Sequence, residues 1–206
     1  MNLTIVGATG ATGRELVRQA VDRGHTVTAI ARHPDRLDIP NSDRLIRVAA
    51  DVLDGDAIAA SLTGSEIVLS GLGNVSGQDP RVLTAGVRAV VAAEPERIIW
   101  LGAFGTGASA QAAGPLTRRL LRLVLRGELS DKIAADGAVL AAGGTVFHAG
   151  PLTNGALSQT RRTLELDAVP RRIFPARISR ATVAAAMLDE AEGPAHHGTT
   201  IVPLDR

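Results

Sequence analysis

The sequence predicts an α/β fold, a doubly wound and mainly parallel sheet in three αβα layers, and three observations carry that prediction. Short apolar runs alternate with stretches of helical periodicity through the first half of the chain, the pattern of strands covered on both faces by helices. The first run, Leu3 to Val6, passes directly into Gly7-Ala8-Thr9-Gly10-Ala11-Thr12-Gly13 and then into a helix. One helix later a second strand, Thr26 to Ala31, completes the unit. Strand, glycine turn, helix and strand in that order make the fold Rossmann-like. The length of 206 residues suits one domain with a large core, so residues 1–206 are expected to form a single domain.

The glycine turn is the stretch with chemistry in it. Gly7 permits a tight turn, Gly10 lets backbone amides approach a pyrophosphate, and Gly13 lets the helix pack close to the strand. The helix that follows carries apolar residues at 16, 17, 20 and 21, one buried face. Its first turn has unpaired N–H groups and a positive dipole end, which suit an anion. An ordinary glycine-rich turn would share the spacing, but the flanking strands and helix favour a dinucleotide.

The remaining elements follow in order. Gly24 ends the first helix, and His25 to Ala31 is the second strand. Arg32 comes next, where a Rossmann unit meets the adenosine ribose. A carboxylate there favours a free 2′-hydroxyl and an arginine accommodates a 2′-phosphate, so NADP(H) is expected over NAD, with a solvated basic turn as the alternative. Leu45 to Ala49 is the third strand, with Asp51 and Val52 at its carboxyl edge, and Asp54 caps a short helix through Ala60. Ile67 to Ser70 runs into Gly71-Leu72-Gly73-Asn74, which is either a second site of close backbone approach or a flexible loop. A helix from about Pro80 to Ala93 and a fifth strand, Arg97 to Leu101, lead to the loop Gly102 to Gly107.

Arg118 to Leu125 reads as a helix whose apolar residues nearly encircle it. Core packing, a lid, and burial against a second copy in a homodimer are all open for it. Ser130 to Ala142 is a further helix, and Thr145 to Ala149 a sixth strand before the loop Gly150 to Gly155. Residues 160–177, with five arginines, read as a hairpin or irregular excursion. Ser179 caps a helix through Glu190, and Thr199 to Val202 is the last strand.

Composition narrows the function. Net charge is +1 and aromatic residues are 2%, which argues against a nucleic-acid surface. No apolar run reaches the length of a membrane span, and the chain enters a strand with no signal-peptide pattern. The absence of cysteine removes disulfides, thiolate catalysis and cysteine metal sites, and fits a cytoplasmic protein. No metal is expected. There is no tyrosine, and Lys132 is the only lysine. Every other basic side chain apart from histidine is an arginine, which gives up no proton near neutral pH.

Several stretches together resemble the atypical short-chain dehydrogenase family. They are the GATGATG turn, Arg32 to Leu37, Ala50 to Asp54, Gly143 to Gly155 (GGTVFHAGPLTNG) and Ile178 to Ala184. Within that family the chain looks most like the single-domain NAD(P)H-binding branch that includes flavin/biliverdin reductase B-type and NmrA-like proteins. The resemblance implies that Gly7, Thr9, Gly10, Ala11, Thr12 and Gly13 hold the pyrophosphate and that Arg32 holds the 2′-phosphate. It places Asp51 and Val52 beside adenine, Leu72 and Gly73 near the ribose and nicotinamide, and Pro151 and Leu152 at the carboxamide.

The departures from the family pattern matter most. Tyrosine-containing branches use Tyr-x-x-x-Lys, in which tyrosine gives the proton that accompanies hydride transfer to a carbonyl. Here Lys132 fits the lysine by spacing, and the position four before it is Glu128. The strand-five serine is replaced within Gly102-Ala103-Phe104, and the histidine of reductase B-type proteins is replaced by Leu152-Thr153. His148, inside a strand, reads as a core histidine. The leading expectation is therefore an NADPH-dependent oxidoreductase that passes hydride to a small flavin- or quinone-like acceptor, with Lys132 as catalytic candidate and Asn74 and Phe104 lining the acceptor pocket. A non-catalytic NADP(H) sensor of the NmrA-like type is the rival. A Glu128–Lys132 catalytic pair is a third reading, set against an ordinary i,i+4 salt bridge.

Overall fold

Strand β1 (Asn2–Val6) shows why the sheet is apolar on both sides. Leu3 and Ile5 enter one core and Val6 the other, and none of the three is more than 1% exposed. The same alternation recurs in β5 (Arg97–Ala103), where Ile99 faces the first core while Ile98 and Trp100 face the second. In β6 (Thr145–Ala149), Phe147 and Val146 divide in the same way. A period of two with both faces buried gives near-continuous apolar runs, the mark of a parallel sheet covered by helices.

The computed structural model describes residues 1–73, 79, 81–110, 129–170, 175–193 and 195–205. Besides β1, β5 and β6, the main sheet holds β2 (Thr26–Ala31), β3 (Leu45–Ala49), β4 (Ile67–Ser70), β8 (Arg162–Glu165) and β10 (Thr200–Leu204). Their order is β3-β2-β1-β4-β5-β6-β10-β8, parallel throughout except where β8 runs antiparallel to β10. Two short strands, β7 (Leu152–Thr153) and β9 (Ile178–Ser179), pair separately. Helices α1 (Ala11–Asp22) and α5 (Arg180–Glu192) cover one face through Leu16, Val17, Val183 and Met187. The other face is covered by α2 (Gly55–Leu62), α3 (Val82–Ala92) and α4 (Leu129–Ala141) through Leu62, Val87 and Val139. The result is the predicted doubly wound, three-layer α/β fold.

Caps formed by neighbouring residues fall where the sequence puts them. Asp54 accepts from the Ala57 amide at 3.1 Å to start α2, and Ser179 accepts from the Thr182 amide at 3.0 Å to start α5. Gly24, at φ +86°, closes α1 in a conformation that other residues rarely adopt. A cap built from a distant residue was not foreseen. The carboxylate of Asp131 on α4 accepts from the amides of Leu83 (3.0 Å) and Thr84 (2.9 Å) and from the Thr84 hydroxyl, satisfying the start of α3. Helix α3 accordingly begins at Val82 and not at about Pro80.

Two strands run past their predicted ends. Strand β5 continues past Leu101 to Ala103 because Gly102 and Ala103 still pair with His148 and Ala149 of β6. Strand β10 continues past Val202 to Leu204, pairing Pro203 with Thr163 and Leu204 with Arg162. Residues 160–177 form no hairpin among the described residues. They give the single strand β8 and then a short 3-10 turn, Leu166–Ala168. The leucine-rich stretch 118–125 lies outside the described residues. No helix among the described residues is long and apolar enough to cross a membrane.

Candidate functional site

The glycine turn joins β1 to α1, as its spacing predicts. Gly7 sits at φ +76°, where a side chain would be strained, and the Gly7 and Ala8 amides both donate to the Ile30 carbonyl at 3.1 Å. Gly10 caps α1 and brings no side chain to the first-turn N–H groups, which leaves donors available to an anion. Gly13 is the tightest position of the turn. A Cβ there would lie 2.1 Å from the Gly7 carbonyl oxygen and 2.9 Å from Ala8 Cα. Gly71, at the end of β4, presses on the same point, since its own Cβ would stand 2.8 Å from Gly13 Cα. Gly71 therefore serves the close packing of β1, α1 and β4, a role its position in the sequence did not reveal.

A cleft of about 230 Å³ opens outside the carboxyl ends of β1 to β4. Of the residues expected to meet the cofactor, Gly7, Thr9, Gly10, Arg32, Asp51, Val52, Leu72 and Gly73 line it. Ile30, Ala31 and Ala50 also line it, with Val82 from the start of α3, and were missed, because nothing local separates an apolar residue at a cleft from one in a core. Ala11, Thr12 and Gly13 lie in the first turn of α1, with Thr12 and Gly13 buried and Ala11 exposed. Arg32 is exposed and makes no hydrogen bond among the described residues. Arg14 on α1 donates to the Arg36 carbonyl at 3.3 Å, bringing a second guanidinium close to the turn after β2. Arg81, by contrast, is committed to Asp79, whose carboxyl is held down to about 2 by hydrogen bonds from the Arg81 guanidinium and amide. One oxygen of Asp51 accepts from the Leu53 amide at 3.0 Å, which fixes the side chain at the cleft edge.

A shallow apolar hollow of only about 20 Å³, a wall more than an enclosed pocket, lies outside the carboxyl ends of β5, β6 and β10. Phe104, Val169, Pro170, Pro175, Val202 and Leu204 line it, with Gly150, Ala176 and Pro203. None of these side chains can donate a proton. Phe104 was assigned to the acceptor pocket, and this hollow is where it sits. Its amide donates to the Ala149 carbonyl at 2.8 Å, holding the start of the loop after β5 against the end of β6. Pro151 is exposed, and its carbonyl accepts from the Ile178 amide at 3.2 Å. Leu152 packs on the first core. Neither residue lines either cavity. Lys132 stands half-buried on α4 and also lines neither cavity. Asn74 and Glu128 lie outside the described residues.

Two buried residues that the sequence did not single out, Asp136 and Ser109, flank a histidine that it did. His148 is wholly buried, as expected of a core histidine, but it bridges Asp136 on α4 and Ser109 in the short 3-10 turn Gly107–Ala110. Among the described residues no cluster of three or more metal-ligating side chains occurs.

Comparison with known proteins agrees with this geometry. The sequence model of a family described as NAD(P)H-binding matches residues 7–194. A protein from Streptococcus pneumoniae TIGR4, provisionally described as an NADH-flavin reductase, superposes with a TM-score of 0.79 at 18% identity, covering 100% of both chains. An anaerobillin reductase from Escherichia coli O157:H7 superposes with a TM-score of 0.78 at 16% identity, over 100% of this chain and 97% of that one. A wide-type short-chain dehydrogenase/reductase from Veillonella parvula, in complex with NADP, gives 0.79 at 15% identity, over 98% and 93%. At these identities the likeness is one of fold. The curated relatives matched are uncharacterised mycobacterial proteins, 39% identical over 69 residues, and the match spans only 8% of their length.

Proposed function

Because the chain belongs to the NAD(P)H-binding family, whose model matches residues 7–194, we propose that it is an NADPH-dependent oxidoreductase acting on a flavin- or quinone-like acceptor. The observation that carries the choice of acceptor is the apolar hollow beside Phe104, whose lining holds no proton donor among the described residues. NADPH, when bound, supplies a hydride. A carbonyl acceptor would need a placed acid to neutralise the alkoxide, whereas a flavin or quinone takes hydride at an electrophilic ring and can draw its proton from water. The residues of this chain then bind, orient and exclude water, and orientation alone can supply much of the rate.

In this reading the first-turn amides of α1 and the backbone from Gly7 to Gly13 hold the pyrophosphate. Arg32 holds a 2′-phosphate, Asp51 and Val52 flank adenine, and Leu72 and Gly73 border the ribose. The glycine cradle fits that assignment, since a side chain at Gly7 would meet the Leu72 amide at 2.9 Å. Phe104 forms part of the wall against which an acceptor ring lies. The flavin and anaerobillin reductases among the fold neighbours are consistent with a planar conjugated acceptor.

Following NADPH absorbance with FMN, riboflavin and menadione, beside direct titration of the cofactor, tests the proposal. Turnover with these acceptors and none with simple ketones is the expected result. Tight cofactor binding without turnover would select the NADP(H) sensor instead, which the same absence of an acid would suit. Lys132→Met, at a residue that lines neither cavity, should leave KM for NADPH and kcat within about twofold. Reduction of a ketone by the wild type that Lys132→Met abolishes would sink the flavin-type reading and make Lys132 catalytic.

A further inference from the structure

Three polar side chains from three separate elements meet where the molecule is driest. Ser109 and His148 are 0% exposed and Asp136 is 4% exposed. His148 Nε2 lies 3.0 Å from Asp136 Oδ2 and His148 Nδ1 lies 2.6 Å from the Ser109 hydroxyl oxygen, the ring tautomer deciding which atom donates at each contact. The Ser109 oxygen also accepts from the Gly105 amide at 2.7 Å, and its one hydroxyl proton has a second acceptor in the Thr106 carbonyl at 3.2 Å. Carboxylate, imidazole, hydroxyl and amide thus form a continuous hydrogen-bonded chain.

The chain ends on the loop after β5. That loop is closed on itself by the Thr106 hydroxyl donating to the Ala103 carbonyl at 2.8 Å and by the Ser109 amide donating to the Thr106 carbonyl at 3.0 Å. Phe104 and Gly105 stand between these contacts. The backbone at Gly102 makes room for the polar chain: a Cβ there would lie 2.7 Å from His148 Cδ2 and 2.9 Å from Asp136 Oδ1. A buried polar group without a bonded partner is costly, so each link holds the next in place.

We propose that the Asp136–His148–Ser109 relay is a positioning device: it ties α4 and β6 to the loop carrying Phe104 and so fixes the wall of the apolar hollow. This rests on the reading of that hollow as the acceptor site. His148 and Ser109 touch no reacting atom and act through the loop.

Two readouts on Ser109→Ala test it, one of them independent of activity. Amide hydrogen exchange of the segment containing Gly105 should quicken about tenfold, the order expected from one lost buried hydrogen bond, while exchange at Gly7 to Gly13 stays as in the wild type. In the same variant KM for menadione and Kd for riboflavin should rise about tenfold, with Kd for NADPH within about twofold. His148→Asn, which keeps an acceptor near Ser109 but loses the reach to Asp136, should fall between the wild type and Ser109→Ala. Faster exchange throughout the chain, or a parallel loss of NADPH affinity, would make the relay ordinary core polarity and overturn the proposal. Unchanged exchange at Gly105 would overturn it too, as would faster exchange with unchanged acceptor KM and riboflavin affinity. If the wild type neither turns over menadione nor binds riboflavin, the acceptor reading falls and the pocket role with it. The exchange result then decides separately whether the relay holds the loop.

Discussion

Gly13→Ala should be among the most damaging single-methyl changes in the protein, matched in tightness by Gly150, whose Cβ would stand 2.0 Å from the Ala176 carbonyl oxygen. At Gly13 the new Cβ would stand 2.1 Å from the Gly7 carbonyl oxygen, well inside any tolerable contact, and both partners are backbone that cannot rotate away. Relief requires α1 to lift off β1, which would also pull it from Gly71 on β4 and from the apolar contacts of Leu16 and Val17. Overpacking of this kind costs about 3 kcal/mol, and for a domain of this size that lowers Tm by about 6–12 °C. Because the moved turn is the proposed pyrophosphate cradle, NADPH affinity should fall by more than about tenfold even in the fraction that folds. Two controls separate sterics from a general dislike of alanine. Gly137→Ala, on α4 where nothing lies within 4 Å, should stabilise the chain by about 0.5–1 kcal/mol. Gly10→Ala brings its Cβ to 3.2 Å from the Gly7 oxygen, a contact that a small shift relieves, so it should fold and lose mainly cofactor affinity. Wild-type Tm for Gly13→Ala by differential scanning calorimetry would show that helix and strand are not packed as described.

The features legible in the sequence were those whose cause lies within a few residues. The turn from Gly7 to Gly13, the C-terminal Gly24 and the caps Asp54 and Ser179 each act on neighbouring backbone, and all four appear where their spacing puts them. What remained hidden was set by contacts between distant residues. Asp131 caps a helix that starts 49 residues earlier by packing α4 beside α3, so no local pattern marks it. His148 could be read as buried, but its partners lie 12 and 39 residues away, and nothing near Ser109 or Asp136 points toward it. The extra residues of β5 and β10 likewise come from their partners' lengths. Of the candidate site, the proposed nucleotide cleft was largely legible because it is one glycine-rich loop plus strand ends. Of the apolar hollow only Phe104 was named, because it gathers residues from the segments after β5, β6 and β8 and from β10 itself.

Arg32→Ala should abolish the proposed preference for NADPH and leave the protein nearly indifferent between NADPH and NADH. Arg32 follows β2 directly, lines the cleft, and spends its charge on no side chain among the described residues. A guanidinium so placed can meet a 2′-phosphate with paired, charge-assisted hydrogen bonds, worth about 1.5–3 kcal/mol, or roughly 10- to 150-fold in Kd. Its exposure argues for the lower part of that range and for a preference that shrinks as salt rises, because solvent-exposed charge pairs are screened within about 10 Å at 0.1 M. NADH has no 2′-phosphate, so its Kd should move by less than about twofold. Arg14 is the competing cation: its guanidinium, donating to the Arg36 carbonyl at 3.3 Å, lies against the turn that follows β2. Isothermal titration of both cofactors at two salt concentrations distinguishes the cases. A NADPH loss confined to Arg32→Ala assigns the phosphate to Arg32, and a full loss only in the Arg14→Ala, Arg32→Ala double variant assigns it to a shared cluster. Equal losses of NADPH and NADH affinity in Arg32→Ala would mean that the side chain supports the shape of the cleft and reads no phosphate at all.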